Sequence, residues 1–188
     1  PLAPVKDVLT VDGDMVVPID ALGIGYWLKA AFGAPTTTGT TPKTHTFTSG
    51  SYDLPSMAIE VGMPEVPSFA MYTGVKLNQL KWSMARSGLL TASVGLIAQG
   101  ETLNTATQAG TPTSFALTRF GHFNGSIQRD GVALASVVST DITYDNGLDP
   151  VGVIRADGLL DGIDPGMAAL TGQSVVRFDS TALLTQAV

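Results

Sequence analysis

The stretch from Lys76 to Glu101, KLNQLKWSMARSGLLTASVGLIAQGE, constrains this chain more than any other. Its second half alternates: Leu90, Ala92, Val94, Leu96 and Ala98 share one face, and Thr91, Ser93 and Gly95 the other. Successive strand side chains point to opposite faces, so a period of two marks a strand buried on one side. The first half, FAMYTGVKLNQLKWSMA when traced back to Phe69, alternates with a slip. Val75 and Leu77 are in phase, whereas Leu80, Trp82 and Met84 are one residue out. A slip at Asn78 and Gln79 is the signature of a β-bulge, which bends a sheet. Between the arms lies Arg86-Ser87-Gly88, with Gly88 able to supply the positive φ of a three-residue hairpin turn.

The rest of the chain fits around such a hairpin. MVVPI (Met15 to Ile19) reads as a short strand. In DALGIGYWLKAAFGAP, Asp20 is a natural N-cap, Ile24, Trp27, Leu28 and Ala31 fall on one helical stripe, and Gly33 with Pro35 stops the helix. TTTGTTP reads as a Thr-rich loop and KTHTFT as a strand. LPSMAIEVGMP is a strand with Met57, Ile59 and Val61 on one face, closed by Pro64 and Pro67. Further strands are expected in FALTRF, HFNGSIQ, ASVVSTDITYD and SVVRF, with NGLDPVG as a turn and a second short helix in DSTALLTQAV. The expected fold is mainly β, a sandwich or barrel-like arrangement with about two short flanking α-helices. At 188 residues and without an internal repeat, it forms one domain over 1–188.

Chemistry is scarce. The chain has no cysteine, so disulfides and thiolate zinc sites are excluded. Its histidines, His45 and His122, sit in strand or turn contexts, and no serine lies in a nucleophile elbow. There is neither a phosphate loop nor a dinucleotide fingerprint; the glycines of GIGYWLKAAFG lack the rest of that pattern. DGLLDGIDPG, with Asp157, Asp161 and Asp164, has the composition of a calcium loop without its ligand spacing, which leaves a structural turn or a weak cation site. Lys76, Lys81 and Arg86 could attract phosphates or guard a strand edge against stray pairing. A net charge of −6 argues against a surface built to grip nucleic acid. Charged residues are only 14% of the chain, against roughly 25% in ordinary soluble domains. That low share fits a subunit whose flanks are covered by neighbours. LLTASVGLIA is too short and too polar to span a bilayer.

Taken in order, GYWLKAAFGAPTTTG, HTFTSG, LPSMAIEVGMPE, YTGVKLNQLKWSMARSGLLTASVGLIAQGE, ITYDNGLDP and DPGMAALTGQSVVRF resemble the tail tube proteins of long-tailed phages. The resemblance runs from about Gly25 to the C-terminus. It implies a structural virion protein without catalytic residues, cofactor or metal, whose copies form rings, typically hexamers. The rings stack into a hollow tube through which DNA is ejected. It also implies contacts with other tail proteins (tape measure, terminator and distal tail), transient passage of DNA, no membrane partner, and assembly in the host cytoplasm. Further strands beyond Val188 are expected on the same ground.

Within this reading, the interface or lumen candidates are Thr36, Thr37, Thr38 and Thr40 in the Thr-rich segment, and Lys81, Ser83, Thr91 and Ser93 on the hairpin. Small uncharged side chains suit a tight subunit contact or a smooth channel wall, and an acidic wall repels DNA phosphates. Two other readings stay open. One is a tube subunit of the type VI secretion kind, which shares the general architecture. The other is a β-sandwich binding or adhesin module, which would need an aromatic platform from Tyr52, Phe69, Tyr72 and Phe123.

Overall fold

A single strand of 17 residues, β5 (Ser68–Met84), belongs to two parts of the structure and positions everything else. In this computed structural model, the residues described are 7–114, 116–121, 127–129, 131–133 and 137–177. The upper half of β5 pairs with β4 (Met57–Met63) on one side and β7 (Gly100–Asn104) on the other. Its lower half pairs with β6 (Thr91–Ala98) and β10 (Val137–Asp145). The strand changes direction at Gly74, whose φ of 63° favours glycine and whose missing Cβ leaves room for the Gln99 side chain. Gln99 is the residue that separates β6 from β7, so both arms of the hairpin bend at one level.

β1 (Val11–Pro18) joins the far side of β6, and β13 (Ala169–Val176) joins the far side of β10. The resulting antiparallel path is β1-β6-β5-β10-β13, with β4 and β7 attached to the upper half of β5. The fold is mainly β, as the alternation predicts, and its curled sheet gives a sandwich-like arrangement. One helix, α1 (Ile24–Phe32), is present among the described residues. The second expected helix, in DSTALLTQAV, lies outside them.

One face of the sheet meets α1. Leu77, Leu80, Val94, Ala92, Val17 and Tyr144 are buried there together with Ala30 and Ala31 of the helix. Trp27, Leu28 and Phe32 pack against the same cluster, so Trp27, Leu28 and Ala31 of the predicted stripe face inward, while Ile24 at the start of the helix is half-buried. The Phe32 and Tyr144 rings stack at 4.4 Å between centroids. Burying each large side chain contributes about 1.5–3 kcal/mol, so this face carries the hydrophobic stabilisation.

Several local expectations need correction. Asp20 does not cap the helix. Its carboxylate accepts the N–H groups of Leu22 and Gly23 in a preceding turn, and the N-cap position falls to Gly23. Gly33, with φ of 85°, ends the helix as expected. The Thr-rich loop is in fact a strand, β2 (Thr36–Thr38), paired with β3 (Thr44–Thr46), because β-branched threonines pair readily across a connection carrying Gly39 and Pro42.

The main hairpin closes less tightly than a three-residue turn. The last β5–β6 pair is Trp82 with Ala92, because Leu89 and Leu90 are drawn away to bond Gly121 and Phe120. Gly88 does take the positive φ, at 109°. Of FALTRF, Arg119 makes only an isolated bridge to Asp20. HFNGSIQ lies largely outside the described residues, and its last residue opens the two-residue β8 (Gln128–Arg129), paired with β9 (Val132–Ala133). NGLDPVG contains a short strand, β11 (Asp149–Val151), paired with β12 (Gly162–Asp164). β13 begins five residues before SVVRF does, since Ala169 already pairs with Asp145.

Candidate functional site

The bulge at Asn78 is the joint that organises the second face. The β5–β6 register shifts between Leu77 and Gln79, as the phase slip predicts. The extra residue gives its backbone carbonyl to Asn146 N–H at 2.8 Å and its side-chain oxygen to Leu148 N–H at 2.8 Å. Asn146 is itself buried, and its amide donates to Ala31 O of the helix and to Leu77 O, both at 3.0 Å. One side chain thus ties the helix, the bulge and the loop after β10 together. In a site this dry, each orphaned polar group costs about 1–3 kcal/mol, so the latch is rigid.

Opposite the core face, β5 presents Gln79, Lys81 and Ser83, and β6 presents Thr91, Ser93 and Gly95. Register carries this face outward: Asp14 and Val16 of β1 lie across from Gly95 and Ser93, and Asp145, Thr143 and Asp141 of β10 lie across from Gln79, Lys81 and Ser83. Thr171 and Gln173 of β13 complete it. A shallow polar depression of about 310 Å³ runs between Asp14, Gln79, Lys81 and Ser93. Gln79 donates to Asp145 at 2.6 Å, and the Ser83 hydroxyl donates to Asp141. Asp12, Asp14, Asp141 and Asp145 outnumber Lys76 and Lys81 on this face, so its field is acidic.

One end of the face is covered by the chain itself, which the sequence reading did not foresee. Ile97 packs beneath Leu54, Leu148, Leu160 and Ile163, a second small core. Lys76 donates to Ile163 O at 2.7 Å, so this lysine fastens the β11–β12 hairpin rather than standing free for phosphate.

The structure therefore brings Lys81, Ser83, Thr91 and Ser93 together on one surface. Thr36, Thr37, Thr38 and Thr40 lie apart from them, on the exposed β2–β3 hairpin. The sequence reading missed Asp14, Thr143, Asp141 and Asp145 as members of the face. The alternation in STDITYD carries that signal, since Asp141, Thr143 and Asp145 recur with a period of two.

Elsewhere the polar groups are occupied structurally. His45 Nδ1 lies 2.8 Å from Thr37 Oγ1 across the β2–β3 pair. His122 is outside the described residues. In the Asp-Gly segment, Arg155 forks onto Asp157 at 2.8 and 3.0 Å and reaches Asp161 at 3.0 Å. The hydrogen bond to Arg155 holds the Asp157 carboxyl below the usual carboxylate range, aided by the Leu159 N–H, while the Asp157 hydrogen bond raises Arg155. Arg155 thus neutralises Asp157 and Asp161 within the turn, while Asp164 ends β12. Among the described residues, no group of three acidic, His or Cys side chains could hold a metal. Of the aromatic residues named for a platform, Tyr52 is in the loop before β4 and Phe69 and Tyr72 lie on opposite faces of β5. Phe123 lies outside the described residues. Burial, then Glu101, pushes the Tyr72 hydroxyl up.

The main sheet thus has one face packed against α1, one broad polar face and, among the described residues, two open edges. The chain belongs to the phage tail tube protein family, whose model matches residues 1–188. It is thus a structural protein of a phage tail, a family that self-associates and associates with other tail proteins. No curated protein matches the chain. Among the described residues, no helix is long and apolar enough to cross a membrane.

Proposed function

We propose that copies of this chain close into hexameric rings that stack into a hollow tube, with the polar face of the β1-β6-β5-β10-β13 path lining the channel through which DNA leaves. The observation that carries this reading is the contrast between the two faces of that path. The centre of the apolar face is covered by α1, and the other face offers Ser93, Thr91, Thr143 and Thr171 beneath an acidic field. Like charges repel phosphate, and short neutral side chains offer it few donors, so DNA slides without adhering. On this reading the subunit performs no reaction. Its partners are its own copies and the proteins at the two ends and in the lumen of the tube: terminator, distal tail and tape measure. Rings assemble in the host cytoplasm and function in the virion.

The β2–β3 hairpin is proposed as the contact between stacked rings. A two-stranded ribbon is marginal on its own in water, and every residue from Thr36 to Thr46 is exposed, so a neighbour is needed to hold it. The test is electron microscopy of the purified chain at high concentration, where rings and hollow tubes are expected. Protein that stays monomeric under those conditions would overturn the reading.

A further inference from the structure

Asn146 and Gly147 form an Asn-Gly step at the joint between the helix, the bulge and the loop after β10, and the fold leaves neither position a choice. Residue 146, only 3% exposed, must give one N–H to Ala31 O and another to Leu77 O, both at 3.0 Å. Among short side chains only the Asn amide carries two N–H donors. Gly147 turns with φ of 57°, a conformation that other residues rarely adopt, and a Cβ there would stand 3.1 Å from Met167 O.

The pair that the latch demands is also chemically labile. Asn is a thermolabile residue, and a following glycine puts no side chain in the way of its own backbone nitrogen. In a free chain Gly147 N, once deprotonated, attacks Asn146 Cγ. The N–Cγ bond closes a cyclic imide, the Cγ–Nδ2 bond breaks, and the nitrogen leaves as ammonia. Water then opens the imide at either carbonyl, leaving aspartate or isoaspartate at position 146.

In the folded chain the reacting groups are each engaged. The amide is fixed by Ala31 O and Leu77 O, and Gly147 N–H donates to Asp145 Oδ1 at 2.7 Å. The flanking Asn146 and Leu148 N–H groups both bond Asn78, at 2.8 Å. Turning the amide onto Gly147 N would break two buried hydrogen bonds, and burial keeps out the water that the second step consumes.

We propose that Asn146–Gly147 is a deamidation site, closed by folding and open in the unfolded chain, whose modification bars the chain from returning to the native state. An aspartate at 146 has no N–H. Ionised, it would set a buried charge against two carbonyl oxygens, and protonated it could donate to only one of them. Isoaspartate would lengthen the backbone between the two N–H groups that bond Asn78. Chemical change of the unfolded chain makes unfolding irreversible. The property belongs to the single chain and does not depend on the tube.

The unaltered chain is held in mildly alkaline buffer, with and without guanidinium chloride above its unfolding transition, and peptide mass mapping follows aspartate and isoaspartate at position 146. In denaturant the Asn146 peptide is expected to lose its amide. So is the chain's other Asn-Gly step, Asn124–Gly125, which lies outside the described residues and shows that the chemistry runs. In buffer alone the loss at Asn146 is expected to be slower by about a hundredfold or more, because a stable domain has only about one chain in a thousand unfolded. A smaller or absent difference would mean that folding does not close the site and would overturn the proposal. After dilution from denaturant, the refolded fraction is collected by size exclusion and mapped again. It is expected to be depleted of chains modified at position 146, and modified and unmodified chains refolding in equal proportion would overturn the block on refolding.

Discussion

The two faces of one sheet, made by alternate residues of the same strands, have opposite fates in this molecule. On β6, Ala92, Val94 and Ala98 are buried, while Thr91 is exposed and Ser93 and Gly95 are half-buried in a shallow polar depression. The buried set is exchangeable only at the expense of the fold, since interiors are close-packed and a lost methylene leaves a cavity. The polar set makes few contacts within the chain, so its composition reflects what passes or binds outside. The difference teaches where to look for function in a structural protein: on the face that folding leaves unused.

The sharpest way to break this comparison is to exchange residues on the two faces. Leu80→Ala on the core face is expected to cost about 2–5 kcal/mol in urea unfolding, whereas Ser93→Ala, thirteen residues on and facing the other way, should stay within about 0.5 kcal/mol of the native value. Equal losses would mean that the polar face is also a folding surface. Next in size is the latch between the faces. Asn146→Ala leaves Ala31 O and Leu77 O without their donor and should cost about 2–3 kcal/mol, measured in the same way.

A smaller effect on stability, but a larger one on function, is expected when Asp14 and Asp145 are both changed to Lys. The fold should persist, yet assembled tubes should retain DNA in a salt-sensitive manner that the unaltered tubes lack, read by co-sedimentation across a salt series. Deletion of Thr36–Thr41 should leave the core and its thermal transition almost unchanged, since the hairpin contributes nothing to the cluster around Leu77, while stopping tube elongation in micrographs.

The smallest effect concerns a contact outside both faces. Glu60 accepts from Thr107 Oγ1 at 2.5 Å and from Gln108 N–H at 2.6 Å, and these bonds, the Thr107 one first, lower its pKa below the usual 4.5. A carboxyl whose folded pKa is depressed stabilises its contact above the unfolded value and loses it as pH falls through the folded one. The Gln108 amide resonance should therefore titrate below pH 4.5, and Glu60→Gln should abolish that titration while leaving the sheet intact.

The strands of the main sheet were legible because their burial is one-sided. Alternation in TASVGLIA and the phase slip at Asn78 anticipated β6 and the bulge, and the apolar stripe of Trp27, Leu28 and Ala31 anticipated the inner face of α1. What was illegible depends on partners distant in sequence. The turn after Met84 looked tight until Leu89 and Leu90 found Gly121 and Phe120, and Lys76 looked like a free cation until Ile163 O reached it. The Thr-rich segment misled for another reason: threonine favours both exposed loops and exposed strands, and only pairing between Thr36–Thr38 and Thr44–Thr46 separates the two. Of the face itself, Lys81, Ser83, Thr91 and Ser93 were visible from the hairpin alone. The carboxylates beside them come from strands whose register no local pattern fixes.

The central claim is that the polar face turns toward a channel. Cryo-electron microscopy of the assembled protein tests it most directly, by showing which side of the β1-β6-β5-β10-β13 path faces the axis. The account predicts Ser93, Lys81 and Thr143 on the lumen and α1 on the outer side. A tube with α1 against the axis and Ser93 directed outward would contradict it.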